Sequence, residues 1–104
     1  MVPEIVDNLE QIQALCKLMQ VKKLYVVGSG ARNHDYKSDS DLDFLYSMIV
    51  DKEGLPLSKY DYFDILWKLE EITGRKVDLI PEAGIRNKFF KQSLMADRVT
   101  IYEA

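Results

Sequence analysis

The run Lys23-Leu24-Tyr25-Val26-Val27, followed at once by Gly28-Ser29-Gly30, constrains this chain more than any other stretch. Four consecutive apolar residues leave no polar side between Leu24 and Val27, which is the pattern of a buried strand, and the small residues after it close the strand in a tight turn. Such a strand needs other elements packed over it. The segment Glu4 to Gln20 supplies one, since Ile5, Leu9, Ile12, Cys16 and Met19 recur at spacings of four and three on one helical face, with Pro3 suited to the first turn. Asp41 to Val50 alternates, with Leu42, Phe44, Tyr46 and Met48 on one side and Asp41, Asp43, Leu45 and Ser47 on the other, and reads as a second strand.

Beyond a loop at DKEGLP, Ser58 and Asp61 form a capping-box pattern opening a helix that carries Tyr62, Leu66, Leu69 and Ile72 on one face and stops at Gly74. Lys76 to Ile80 is a third strand, Ile85 to Asp97 a short helix, and Arg98 to Tyr102 a last strand. The order is α-β-turn-β-α-β-α-β, which predicts a mixed α/β (α+β) sheet with helices packed on one face. Its 104 residues are expected to form a single domain, residues 1–104, with a thin core.

Composition narrows the function. A net charge of −3 does not suit a protein that lives on nucleic-acid backbone, so no direct nucleic-acid binding is expected. One cysteine, Cys16, and one histidine, His34, exclude an internal disulfide and a structural zinc site, and a reducing, cytoplasmic setting fits best. The opening MVPEIVDNLEQ lacks the basic and apolar regions of a signal peptide, and no membrane segment is expected.

The chemistry concentrates in GSGARNHDYKSDSDLDFL, Gly28 to Leu45. Strand geometry sets Asp41 and Asp43 on one face, roughly 6 to 7 Å apart along the chain, which suits two ligands converging on a hard divalent cation. Left unpaired, the two carboxylates would repel, and a cation such as Mg²⁺ keeps both charged. Asp78 alternates with Val77 and Leu79, so it emerges on the same open face if those two point inward. Three carboxylates could hold one or two metal ions and leave an oxygen to activate a nucleophile. At the Gly28-Ser29 turn, glycine lets backbone N–H groups approach phosphate oxygens, Ser29 adds a donor, and Arg32 adds charge.

GSGAR followed by DSDLD, with a later lone Asp in a strand, resembles the minimal nucleotidyltransferases of the DNA polymerase beta superfamily, whose pattern is Gly-Ser, about a dozen residues, Asp-x-Asp, then a third carboxylate. The resemblance spans essentially the whole chain. It implies that Gly28 and Ser29, with Arg32, hold a nucleoside triphosphate, that Asp41, Asp43 and Asp78 bind metal, and that Asp78 assists deprotonation of the attacking hydroxyl. It further implies two Mg²⁺ ions, ATP as the substrate, and release of pyrophosphate as AMP moves to a hydroxyl. Asn33 stands where relatives commonly have glycine, and asparagine tolerates left-handed backbone; His34 replaces a frequent acid.

The closing FFKQSLMADRVTIYEA resembles the end of the small members that pair with HEPN-domain proteins as toxin–antitoxin modules. That implies a protein acceptor, a partner ribonuclease toxin silenced by modification on tyrosine. Larger relatives carry a further helical domain that shapes the acceptor site; a chain of this length is expected to borrow that surface from its partner. Two other readings stand beside this one: a non-catalytic module that neutralises its partner by covering it, and a small-molecule nucleotidyltransferase using the scattered acids Glu70, Glu71 and Glu82.

Other residues read more plainly. Asp-rich loops are usually solvated turns, and only the conjunction with the Gly-Ser turn makes a metal site of this one. Arg32 could equally pair with Asp39 or Asp41, and His34 reads as an exposed loop residue. Tyr60, Tyr62, Phe63 and Trp67 read as core or subunit interface, and Cys16 as buried packing.

Overall fold

The computed structural model describes residues 1–32 and 41–104. Its elements are α1 (Pro3–Val6), α2 (Leu9–Leu18), β1 (Val21–Val27), α3 (Ser29–Arg32), β2 (Leu42–Met48), α4 (Tyr62–Thr73), β3 (Val77–Pro81), α5 (Lys88–Ala96) and β4 (Val99–Glu103), with a 3₁₀ turn at Glu82–Gly84. The four strands form one sheet in the order β3-β2-β1-β4. β1 runs antiparallel to β2 and β4, while β2 and β3 are parallel. A parallel pair cannot be closed by a hairpin, and α4 is the crossover that joins its two strands.

The main core lies between the sheet and the helices α1, α2 and α4. Ile5, Ile12 and Cys16 meet Leu24, Val26, Leu42, Phe44, Leu79 and, from α4, Ile65 and Leu69. Burial pushes the Cys16 thiol up to about 12, so it stays an uncharged packing group. The opposite face of the sheet carries a smaller cluster of Tyr25, Val27 and Leu45, over which Ile85 and, from α5, Leu94 and Met95 lie. The helical layer therefore sits on one face as the periodicity predicts, and the short last helix adds a patch on the other. Among the described residues, no helix is long and apolar enough to cross a membrane.

Three local details differ from the sequence reading. The first helix is interrupted: α1 ends at Val6, and the Asn8 side chain donates a hydrogen bond to the Glu4 carbonyl, 2.8 Å, taking an acceptor that a continuous helix would have given to a backbone N–H. The capping box of α4 lies three residues later than expected, with Asp61 accepting from the Asp64 amide and Asp64 accepting from the Asp61 amide. Ser58 instead accepts from the Tyr60 amide, and the helix ends at Gly74 as read, with φ +68°. The third difference lies within the aromatic group, read as core or subunit interface: Phe63 and Trp67 are 53% and 61% exposed, so the core half of that reading fails for them, while Tyr60 and Tyr62 pack at the core's margin.

Candidate active site

Two of the three expected acids face one another across the parallel ladder. Asp43 of β2 is the register partner of Asp78 of β3, and neighbouring strands lie about 4.8 Å apart, so the backbone itself sets the two carboxylates side by side on one face. Val77 and Leu79 point into the core and Asp78 outward, as the alternation requires. Asp41 precedes β2 by one residue and is exposed; Asp78 is exposed and Asp43 half-buried.

Asp43 is the electrostatic centre of the group. Its carboxyl is raised from the ordinary range, first by burial and then by the charges of Asp78 and Asp41. The sign follows directly: folded Asp43 holds its proton more tightly than the unfolded chain does, so its contribution to stability is present at low pH and is lost as pH rises through the elevated value. In chelator, the melting temperature of the wild type is expected to fall relative to that of Asp43→Asn as pH climbs from the carboxylate range toward neutrality. A constant difference between the two melting curves across that window would contradict this.

The Gly-Ser turn meets the same carboxylate. Val27 pairs with Asp43, and the next residue, Gly28, has φ +67°. A β-carbon built on Gly28 would lie 2.9 Å from Asp43 Oδ2, so the glycine is needed both for the left-handed backbone and for the space that the acid occupies. Ser29 begins α3, and Gly30 lies against Val26 and Leu42. The turn is held from behind by the Val2 amide, which donates to the Gly30 carbonyl at 3.2 Å.

Contacts invisible in the sequence steady the third acid. The Glu70 carboxylate of α4 accepts from the Val77 amide at 3.0 Å, and the Tyr62 hydroxyl donates to the Leu79 carbonyl at 2.8 Å, so both neighbours of Asp78 are pinned to α4. Arg75, just before β3, pairs with Glu4 of α1 at 3.2 Å. These links join separate elements, and no local pattern announces them.

The structure thus brings Asp43, Asp78 and Gly28 together with Asp41 beside them. The Arg32 side chain, Asn33, His34 and Asp39 lie outside the described residues. Among the described residues, no three Asp, Glu, His or Cys side chains converge tightly enough to cage a metal ion alone. The donor set nonetheless fits magnesium. Its oxygens are hard donors crowded enough to repel, and Mg²⁺ is ordinarily held by one or two carboxylates, with waters and substrate phosphates completing the shell.

This mixed sheet, with paired acids set against a Gly-Ser turn, defines the class. Residues 9–101 match the nucleotidyltransferase domain family, and the chain belongs to it. It is a minimal nucleotidyltransferase of the DNA polymerase beta superfamily, as the motifs implied. Two proteins of Methanocaldococcus jannaschii, provisionally named protein adenylyltransferases, are similar to it. One is 33% identical over 79% of this chain and 78% of its own length, the other 29% identical over 96% and 97%. Among solved structures, one described provisionally as a minimal nucleotidyltransferase superposes with a TM-score of 0.71 at 26% identity, covering 91% of this chain and 90% of that one. Two others share the fold. A toxin–antitoxin crystal structure with AMP-PNP has a TM-score of 0.67 at 16% identity, covering 93% and 74%. A tri-AMPylated HEPN toxin of Shewanella oneidensis in complex with its MNT antitoxin gives 0.60 at 15% identity, covering 95% and 72%.

Proposed function

We propose that this single-domain chain transfers AMP from ATP to a hydroxyl of a partner protein of the HEPN class, and acts as that partner's antitoxin in the cytoplasm. The observation that carries the reading is the placement of Asp43 beside Asp78, with Asp43 Oδ2 packed against Gly28 of the Gly-Ser turn. The naming of its relatives as protein adenylyltransferases and the AMPylated toxin complex among its structural neighbours support the same acceptor class.

In this reading Gly28 and Ser29 receive the triphosphate, Ser29 through its hydroxyl, and Arg32 supplies counter-charge. Magnesium, two ions in the family pattern, would be held by Asp41, Asp43 and Asp78, and supplies neutralisation of the phosphates and a lowered pKa for the acceptor hydroxyl. The acceptor oxygen attacks the α-phosphorus; its bond to phosphorus forms as the α–β anhydride bond breaks, and pyrophosphate leaves with the electron pair. Asp78, exposed on the outer strand β3, takes the proton from the hydroxyl, while Asp43, deeper in the sheet, is fixed by the ladder and the turn. The chain's own contribution is alignment and charge placement.

Transfer to a small molecule is less well supported, because the acids that reading needs are engaged in the fold. Glu70 holds the Val77 amide, Glu71 pairs with Lys68 at 3.4 Å, and Glu82 pairs with Lys91 at 3.4 Å. The test is incubation of the chain with a HEPN-domain protein, Mg²⁺ and ATP labelled at the α-phosphate. Label is expected on the partner, with equimolar pyrophosphate and none in chelator. An unlabelled partner, under conditions where the chain binds ATP, sinks the reading.

A further inference from the structure

The last helix differs from α1, α2 and α4, each of which places residues in the core. α5 contributes no buried residue, and its two aromatics, Phe89 and Phe90, stand 72% and 51% exposed. Adjacent exposed phenylalanines are costly to leave in water, and such patches mark interaction sites. The charge around them is also segregated: Ile85 to Arg98 carries four cations, Arg86, Lys88, Lys91 and Arg98, against one anion, Asp97, in a chain whose net charge is −3. Lys88 lies over the Phe89 ring at 5.7 Å, so cation and aromatic form one surface.

Position gives this surface a use. Leu94 and Met95 seat α5 on the cluster of Tyr25, Val27 and Leu45, and the Arg98 guanidinium stacks over the Tyr25 ring at 5.6 Å. Val27 is the ladder partner of Asp43, and Leu45 follows Asp43 on the same side of β2. α5 therefore stands on the acid-bearing face, over residues that adjoin Asp43 in the sheet, anchored by its far end with its phenylalanine end exposed. Among the described residues the other exposed aromatics, Phe63 and Trp67, belong to α4 on the opposite face and could not present an acceptor to Asp78.

We propose that Phe89, Phe90, Arg86 and Lys88 form the docking surface for the acceptor protein, which meets it with an acidic segment carrying apolar side chains. The proposal rests on the reading of the acceptor as a protein. Charge complementarity selects the partner's sign, the phenylalanines supply the anchor, and the neighbouring acids place the captured hydroxyl within reach of the site.

Two double variants test it, Phe89→Ser with Phe90→Ser and Arg86→Glu with Lys88→Glu, both at exposed positions outside the nucleotide site. The measurements are the Kd for the HEPN-domain protein, the Kd for Mg-ATP, and AMP transfer. Each variant is expected to weaken the protein complex at least ~10-fold with ATP binding within about twofold of wild type, and to raise the KM for the acceptor more than it lowers kcat. Added salt should weaken the wild-type complex more than that of the charge variant. Unchanged protein affinity in both variants, no complex with the wild type, or binding of an RNA oligonucleotide or anionic vesicles through these residues in place of the protein overturns the proposal. A complex that forms, weakens in the variants, yet carries no AMP transfer leaves the docking surface standing and removes the transferase reading.

Discussion

Replacing Asp41 and Asp43 together by asparagine is expected to lower AMP transfer by about 10³-fold or more while the domain stays folded. The size of the effect comes from losing charge that balances the triphosphate, several kcal/mol of transition-state stabilisation, at about 1.4 kcal/mol per factor of ten. Folding is not expected to suffer, because asparagine matches aspartate in size and because Asp43 is crowded by Asp78 and Asp41 rather than supported by them. In the absence of metal the double variant should melt no lower than the wild type at neutral pH. The same protein separates catalysis from covering. If it still neutralises a HEPN-domain partner in full, with transfer abolished, the chain works by occlusion; if neutralisation is lost with transfer while the complex persists, modification is the mechanism. Transfer within tenfold of wild type would remove Asp41 and Asp43 from the site.

Gly28→Ala is expected to cost both stability and activity, and Gly74→Ala shows how to tell the two apart. The two glycines share nearly the same φ, +67° and +68°. A left-handed alanine costs about 1 to 2 kcal/mol at either position, or several degrees of melting temperature in a domain of this size. Beyond that they differ. A β-carbon at Gly74 meets nothing within 4 Å, whereas at Gly28 it meets Asp43 Oδ2 at 2.9 Å. Asp43 must then move away from the turn, and a displacement approaching 1 Å at a reacting centre costs about 10²-fold in rate. Gly28→Ala should therefore lose about two orders of magnitude in kcat/KM and Gly74→Ala almost none, at similar losses of stability. Equal activities in the two variants would mean that the contact between Gly28 and Asp43 has no part in the chemistry.

The fold was legible where periodicity is local. The four strands, the crossover helix and its stop at Gly74 follow from alternation, helical spacing and one left-handed glycine. The acids were legible because Asp41, Asp43 and Asp78 have apolar neighbours whose inward direction fixes their own. What escaped depends on partners that lie on other elements. The pairing of Asp43 with Asp78 is a register fact, the hydrogen bond from Val2 to Gly30 spans two elements, and Glu70 reads as a surface acid until β3 is laid beside α4. The break near Asn8 and the shifted capping box were missed for another reason: several polar side chains could serve each terminus, and only the packed helix selects one. Phe63 and Trp67 fit a core pattern by spacing, yet the sheet covers only the Ile65 and Leu69 side of α4.

The parallel pairing of β2 with β3 also makes the site all-or-none. Sliding one strand by a single residue would bring Asp43 opposite Val77 or Leu79 and, because side chains alternate, exchange the solvent face for the core face along the whole strand. Leu42, Phe44, Val77 and Leu79 thus act as proofreaders for the acids between them: a misregistered chain pays in exposed core before it can present a misplaced charge. The spacing of the two carboxylates is thus set by hydrophobic burial, and the hydrogen bonds of Glu70 and Tyr62 to β3 hold the same register from the helix side.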